Sequence, residues 1–341
     1  MESLSVPVDQ LEKLRALVDR PRRIAIISHY NPDGDAVGSS LGLMHVLRAM
    51  GHTAQVVLPN TPADFLDWLP GRKDVLCLDK SPDASLSTIR TSDILFCLDF
   101  NRLDRVGGLE EVARAAAVKV LIDHHQEPDT FAAAMFSDVG ASSTCQMVFD
   151  IVSALGYAQH IGLDAATCLY TGMVTDSGSF RFRSTTPHTM RVAADLMERG
   201  VQIDLIHSAI ADTNSADRLR LLGFMLNERM TALPEQRTVL IGLSKEDLKQ
   251  FNYKTGDTEG FVNYGLSIKG MRLSAFFVER PDMVKISLRS KGDLPVDRFL
   301  KEHFNGGGHA NAAGGQTTEP MTVAVQRFMA LLPAFLAAHP V

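Results

Sequence analysis

The chain reads as an α/β protein: an N-terminal domain built on a doubly wound parallel sheet, a helical connector, and a smaller C-terminal α/β domain facing the first across a cleft. Three observations predict this. The apolar runs at 24–27, 94–98 and 118–122 are continuous rather than alternating, as expected of strands buried on both faces. Stretches of helical length separate them, and strand–helix alternation builds a parallel sheet with crossover helices on both faces. From 185 to about 230 the pattern turns helical and charged, and strands resume near Arg237.

Element by element, the spacing predicts a strand over 23–28, a helix over about 36–50, strands over 53–58, 75–78 and 93–98, a helix over about 109–117, a strand over 119–122, and helices near 144–155 and 164–174. Leu43, Val46, Leu47 and Met50 give the first helix its apolar stripe, and Gly51 stands where a C-terminal cap would end it. The second domain reads as a strand over 238–243, a helix over 245–251, a glycine-containing loop, strands over 273–279 and 283–290, and helices near 296–304 and 322–338. Arg280-Pro281-Asp282 between two apolar runs predicts a tight hairpin connection. The expected domains are 1–186, a connector over 187–230, and 231–341.

At 341 residues, with 45% hydrophobic and 22% charged residues, the chain has the length for two domains and a substantial core. Its first residues lack a basic segment followed by an apolar one, and no run approaches about 18 consecutive apolar residues, so neither export nor a membrane span is expected and the cytoplasm is the expected location. Cys77, Cys97, Cys145 and Cys168 are isolated in apolar surroundings, which predicts buried free thiols rather than disulfides or zinc ligands. A net charge of −6 argues against non-specific nucleic-acid binding. From Met230 onward there are 13 basic and 11 acidic residues, against 21 and 29 before it, so the acidic excess lies in the first part.

Some of that excess follows the apolar runs. His29-x-x-x-Asp33-x-Asp35, Asp99, Asp123-His124-His125 and Asp176 fall where the carboxyl ends of parallel strands would place ligands. Carboxylates packed together repel and would have to protonate unless cations lie among them. Carboxylate and imidazole donors without thiolate suit Mn²⁺, Mg²⁺ or Fe²⁺ better than structural Zn²⁺, and this many donors favours two ions with one carboxylate bridging. Gly34 between Asp33 and Asp35 permits a tight turn that aims both carboxylates at neighbouring ions, and Gly38 is expected to open the next helix, whose N-terminus favours an anion. Further on, Gly306-Gly307-Gly308-His309 reads either as a flexible loop or as a backbone able to approach an anion closely, with Arg289 at a strand end offering a fork that matches phosphate.

Taken together, Ser28-His29-Tyr30-Asn31-Pro32-Asp33-Gly34-Asp35-Ala36-Val37-Gly38, the lone Asp99, Asp123-His124-His125, Asp176 and Gly306-Gly307-Gly308-His309 resemble the DHH phosphoesterase superfamily, in the branch with a C-terminal DHH-associated domain. The resemblance covers nearly the whole chain, and the compact two-domain form is similar to the bacterial nanoRNase group. It implies that His29, Asp33 and Asp99 hold one metal, that Asp35, Asp99, His124 and Asp176 hold the other, and that the pair is two divalent cations, Mn²⁺ foremost. It implies also that Asp123 orients an imidazole without itself meeting a metal. His125 is read as general acid or phosphate ligand, and Asn31, Arg289, Gly307, Gly308 and His309 as further phosphate contacts. One departure stands out: Gln146 occupies a position that is often acidic in the family.

The implied activity is hydrolysis of very short RNA to mononucleotides and of 3′-phosphoadenosine-5′-phosphate to AMP and phosphate, by in-line attack of a water activated between two metals. The implied partners are short single-stranded RNA or a nucleotide phosphate, with no membrane and a homodimer left open. A long strand would want an extended basic groove and stacking aromatics, and only 7% of the residues are aromatic. Rivals of the same chemistry are a cyclic- or linear-dinucleotide phosphodiesterase, a RecJ-like exonuclease, a manganese pyrophosphatase and a polyphosphatase. A rival of another class is a non-catalytic nucleotide sensor, which chelation separates from an enzyme because a sensor has no turnover to lose.

Overall fold

The computed structural model describes residues 6–340. The chain divides into two compact units, one running to Thr213 and the other beginning at Asn214.

In the first unit the order is α1 (Val8–Leu17), β1 (Arg23–Ile27), α2 (Gly34–Ala49), β2 (Thr53–Leu58), β3 (Leu76–Cys77), α3 (Pro82–Thr91), β4 (Ile94–Leu98), α4 (Glu110–Ala115), β5 (Lys119–Asp123), β6 (Ala134–Ser137), α5 (Thr144–Ala154), α6 (Leu163–Asp176), α7 (Pro187–Glu198) and α8 (Ile203–Ala211). The strands form one sheet in the order β3-β2-β1-β4-β5-β6, every pair parallel. The sheet is doubly wound, as the apolar runs predict: Ile24, Ile26, Phe96 and Ile122 bury against residues of α1, α2, α5 and α6, while Ala25, Ile27, Leu95 and Leu121 bury against Ile89 of α3 and Val112 of α4. Strand order reverses between β1 and β4, and such a switch point opens a crevice at the carboxyl ends of the strands. There Ile27 is paired with Cys97 and Leu98 with Ile122. Continuing the same registers by one or two residues puts His29, Asp99 and Asp123 in one row.

Several elements differ from expectation. The strand over 75–78 is only the two-residue edge β3, and the helix over 109–117 is a 3₁₀ turn at Leu103–Leu109, with left-handed Gly107 inside it, followed by the short α4. The helices α1 and α3 and the strand β6 are further elements, beyond those expected from the sequence. Gly38 does not open α2. The helix begins at Gly34, capped by Asp33, whose Oδ1 accepts from the amides of Asp35 and Ala36 at 3.0 and 3.1 Å, so the helix terminus is already satisfied. Gly38 instead lies inside the helix where α6 crosses, and a Cβ on it would stand 2.6 Å from the Cys168 carbonyl oxygen. Gly51 does end the helix, at φ 91°, with the His52 amide donating to the Leu47 carbonyl. All four cysteines are buried and free.

The stretch over 187–230 is shared: α7 and α8 send Val192, Ala193, Leu196 and Ile206 into the first core, while α9 (Ala216–Phe224) places Leu221 in the second unit. That unit continues with β7 (Met230–Leu233), β8 (Thr238–Leu243), α10 (Lys245–Gln250), α11 (Phe261–Ser267), β9 (Leu273–Glu279), β10 (Val284–Ser290), α12 (Val296–His303), β11 (Gly307–His309), β12 (Ala312–Thr317) and α13 (Met321–Ala338). Its sheet runs β11-β12-β10-β9-β8-β7, antiparallel except for β8 beside β9. The Arg280-Pro281-Asp282 step is the expected hairpin, closed by the Arg280 amide on the Met283 carbonyl at 2.7 Å.

One face of this sheet packs Phe277, Ile286 and Leu288 against Phe299 of α12 and Phe328 of α13; the other packs Val239, Ile241 and Phe276 against residues of α9, α10 and α11. α13 is long and apolar enough to cross a membrane by length and composition, and it packs Ala324, Phe328 and Leu332 into the second core. The glycine-rich segment is not a flexible loop but the hairpin β11–β12. A Cβ at Gly306 or Gly308 would meet the carbonyl oxygens of Gly314 or Ala312 at 2.4 and 2.7 Å, so close packing of the hairpin requires those glycines, whereas Gly307 faces open space.

Candidate metal centre

The sequence-predicted acids and imidazoles of the first unit converge at the switch point. His29 follows β1, Asp33 caps α2 and Asp35 lies in its first turn. Asp99 follows β4, Asp123 ends β5 with His124 and His125 after it, and Asp176 ends α6. Asp99 takes φ 64°, a left-handed conformation that is uncommon for a residue with a Cβ and in which aspartate is among the better tolerated.

Two clusters result. His29, Asp33 and Asp99 offer ligand atoms all within 4.8 Å of one another, and so do Asp35, His124 and Asp176. Asp99 serves both: its Oδ2 is 3.5 Å from His29 Nε2 and its Oδ1 is 3.5 Å from His124 Nε2. His124 Nε2 also stands 3.7 Å from Asp35 Oδ2 and 3.7 Å from Asp176 Oδ2, and His29 Nε2 stands 4.0 Å from Asp33 Oδ1. These separations exceed hydrogen-bond length. They approach the spacing of about 3 to 3.5 Å between atoms that each sit about 2.0–2.2 Å from a shared ion.

Hydrogen bonds fix which nitrogen each ring presents. His29 Nδ1 contacts the Tyr30 carbonyl at 3.0 Å and His124 Nδ1 the Ala141 carbonyl at 3.2 Å. A carbonyl only accepts, so both rings donate through Nδ1 and leave Nε2 with a lone pair toward the clusters. Asp123 orients His125 rather than the ring at the cluster: Asp123 Oδ1 lies 2.7 Å from His125 Nδ1. Asp123 has none of its surface exposed, its Oδ2 is buried with no hydrogen-bond partner among the described residues, and with Asp99 and His125 it forms a further group of ligand atoms within 4.8 Å of one another.

The electrostatics ask for cations. Asp35 and Asp99 are 1% and 2% exposed. Burial, and then the charges of Asp35, Asp33, Asp176 and Asp123, push the Asp99 carboxyl well above its usual range. Burial lowers His29 against the pull of Asp33, whereas at His124 burial is outweighed by Asp176 and Asp35, which raise it. The cluster therefore holds more negative charge than its own imidazoles balance, and its oxygen and nitrogen donors, with an orphaned carboxylate oxygen beside them, fit divalent ions.

Sequence reasoning missed the residues that hold the acids. The amides of Thr144 and Cys145, at the N-terminus of α5, donate to the two oxygens of Asp35 at 2.7 and 2.9 Å, and the Thr144 hydroxyl donates to Asp99 Oδ1 at 2.9 Å. A helix N-terminus favours a negatively charged partner. The signal was present in Ser143 ahead of an apolar run, a helix cap, but what the cap faces is not local. Asn31, at φ 57°, does not enter the clusters and is tied to Asn60, whose Oδ1 accepts from its amide at 2.7 Å.

In the second unit, strand register sorts the predicted phosphate contacts. Arg289 and His309 both pair with Ala312, and Gly307 and Ser287 both pair with Gly314, so these residues share the sheet face on which β10 presents Lys285, Ser287 and Arg289. Desolvation by the surrounding chain, then the charges of Arg280 and Arg289, hold the Lys285 ammonium below its ordinary value. This face gathers positive charge.

A doubly wound sheet with carboxylates and imidazoles in two linked clusters at its switch point defines an α/β protein with a candidate metal centre, and the family matches make that class a metal-dependent phosphoesterase. The DHH family N-terminal domain matches residues 23–173 and the DHHA1 domain matches residues 238–338. The chain belongs to the DHH family. It is similar to the bifunctional oligoribonuclease and PAP phosphatase NrnA of Thermus thermophilus, 32% identical over 85% of this chain and 83% of that one, and to the protein of the same name from Bacillus subtilis, 27% identical over 85% and 88%. Among solved structures it is similar to an exopolyphosphatase-related protein from Bacteroides fragilis, with a TM-score of 0.93, 38% identity and 98% of each chain covered.

Proposed function

We propose that the chain hydrolyses very short RNA to mononucleotides and 3′-phosphoadenosine-5′-phosphate to AMP and phosphate, with two Mn²⁺ ions. The observation that carries this reading is the intact six-residue constellation in a chain aligned over most of its length with relatives named for those two activities. His29, Asp33 and Asp99 would hold one ion and Asp35, Asp99, His124 and Asp176 the other, with Asp99 turning one oxygen to each cluster. When bound, such a pair neutralises phosphoryl oxygens and makes water acidic enough to attack at neutral pH.

The remaining work falls to the protein. His125, held through Nδ1 by Asp123, would present Nε2 to the substrate and, as the imidazolium paired with the Asp123 carboxylate, give its Nε2 proton to the leaving oxygen and become neutral. Asn31 stands at the turn beside His29 as a donor to phosphate. In the second unit, Arg289 offers a planar fork and His309, with Gly307, lies on the same face two strands away across β12, with the Gly308 backbone between them on β11, together a set of donors suited to a phosphate.

The test is turnover of RNA of a few nucleotides, 3′-phosphoadenosine-5′-phosphate, cyclic di-AMP and pyrophosphate by the purified chain with Mn²⁺. Short RNA and the 3′-phosphorylated nucleotide should give the highest kcat/KM, with activity abolished by EDTA and restored by Mn²⁺. Faster turnover of cyclic di-AMP or pyrophosphate, or activity that survives chelation, would overturn the assignment.

A further inference from the structure

We propose that Gln146 is a positioning residue for the metal centre: it locks the 141–145 segment, the turn before α5 and the first two residues of that helix, through a buried chain of hydrogen bonds that ends at His188. The proposal rests on the metal-centre reading above and concerns a residue that touches none of the cluster side chains.

The sequence gives Gln146 a different job. Ser143 caps α5 and Gln146 follows three residues later, the spacing of a capping box in which the glutamine would turn back to the Ser143 amide. Only half of the box forms. Ser143 Oγ accepts from the Gln146 amide at 3.0 Å, but Gln146 Oε1 accepts from the Ser142 hydroxyl at 2.7 Å and from the Thr189 hydroxyl of α7 at 2.8 Å, while Nε2 reaches Asp150 Oδ2 at 3.5 Å. Asp150 Oδ1 in turn meets His188 Nε2 at 2.8 Å. Gln146, Ser142, Thr189 and Asp150 are all buried. An amide is the one side-chain group that accepts from two hydroxyls with one end and donates to a carboxylate with the other.

The place of this chain gives it consequence. Ala141, whose carbonyl fixes His124, precedes Ser142; Thr144 and Cys145, whose amides and hydroxyl hold Asp35 and Asp99, follow Ser143. Ser142 is thus the anchored point of a segment that grips three of the proposed ligands, and Gln146 is its anchor. Removing the anchor leaves the ligands present but free to drift, and lost support of this kind lowers metal affinity.

The experiment titrates the metal-free, full-length chain with Mn²⁺ by calorimetry and records thermal melting alongside. Gln146→Leu should weaken Mn²⁺ binding by about 10–100-fold, and adding Ser142→Ala to it should cost nothing further, because both remove the same tie. The double variant Q146E/D150N reverses the donor and acceptor between the two positions: the carboxylate introduced at the first accepts from both hydroxyls, and the amide introduced at the second donates to it while accepting from His188. It should return Mn²⁺ affinity to the parent level. Parental affinity in Gln146→Leu, or a lowered melting temperature with unchanged affinity, would overturn the proposal; so would a double variant that melts like the parent and still binds weakly. A parent that binds Mn²⁺ but turns over no phosphate substrate fails the functional reading alone, since the titration uses metal without substrate.

Discussion

In the first unit Asp35, Asp99 and Asp123 lie almost wholly out of water at the ends of strands and helices, whereas in the second unit Lys285, Ser287 and Arg289 occupy the outward row of a single strand. The contrast follows from side-chain physics. A short carboxylate can be buried only where other groups compensate it, so the first site needs the α5 N-terminus, the Thr144 hydroxyl and room for cations. Long cationic side chains lay their stems along the sheet and reach outward with their heads, so alternation along β10 suffices to line them up, even where the surrounding chain partly desolvates the Lys285 ammonium. A site for cations is therefore a construction of many elements, and a site for anions can be written on one strand and its neighbours.

That contrast can be broken by experiment. The largest effect is expected from Asp99→Asn, which removes charge from both clusters at once: kcat/KM should fall by more than the roughly 100-fold that outer partners of metal ligands reach, together with Mn²⁺ affinity. A variant retaining a tenth or more of the parent rate would remove Asp99 from its bridging role. Next in size is Arg289→Ala, expected to lower kcat/KM by about 10–100-fold, the equivalent of losing a charged hydrogen bond, while Mn²⁺ titration stays at the parent level. Weakened metal binding in this variant would erase the division of labour between the units.

The smallest effect concerns pH. Burial and then its acidic neighbours raise the Asp99 carboxyl in the folded, metal-free chain above its ordinary value of 3.8. A group so raised contributes stability that is present below 3.8 and lost as pH climbs through the raised folded value. The metal-free chain should therefore lose melting temperature over that window, by about 2–4 °C for each kcal/mol. Mn²⁺ should restore it, and most at the upper end, because metal displaces the proton. A metal-free melting temperature that rises through the window would mean that the acids are compensated without cations.

How much was legible depends on how local each cause was. The strands of the parallel sheet were readable because burial on both faces leaves continuous apolar runs, and Gly51 because a left-handed cap favours glycine. The acids and imidazoles were readable as a set, by type and order after strands. The role of Gly38 was not, because whether a glycine opens a helix or admits the backbone of a crossing one depends on where α6 runs. Nor was the partner of Asp123: two adjacent histidines offer the same rings in sequence, and only the path of the chain after β5 gives Ala141 to one and Asp123 to the other. The hairpin β11–β12 was hidden by its glycines, which weaken any strand pattern while making the close packing possible.

The amino-acid sequence by itself determined the alternation that winds the first sheet, the residue types able to hold metal, and the basic and glycine-rich segments of the second unit, since each follows from side-chain character and spacing along a few residues. Tertiary structure alone decided that Asp99 turns one oxygen to each cluster, that α5 aims its amides at Asp35, and that Gln146 serves the 141–145 segment rather than its own helix cap. Those outcomes depend on which distant backbone arrives opposite a side chain, and that is set by how helices and strands pack.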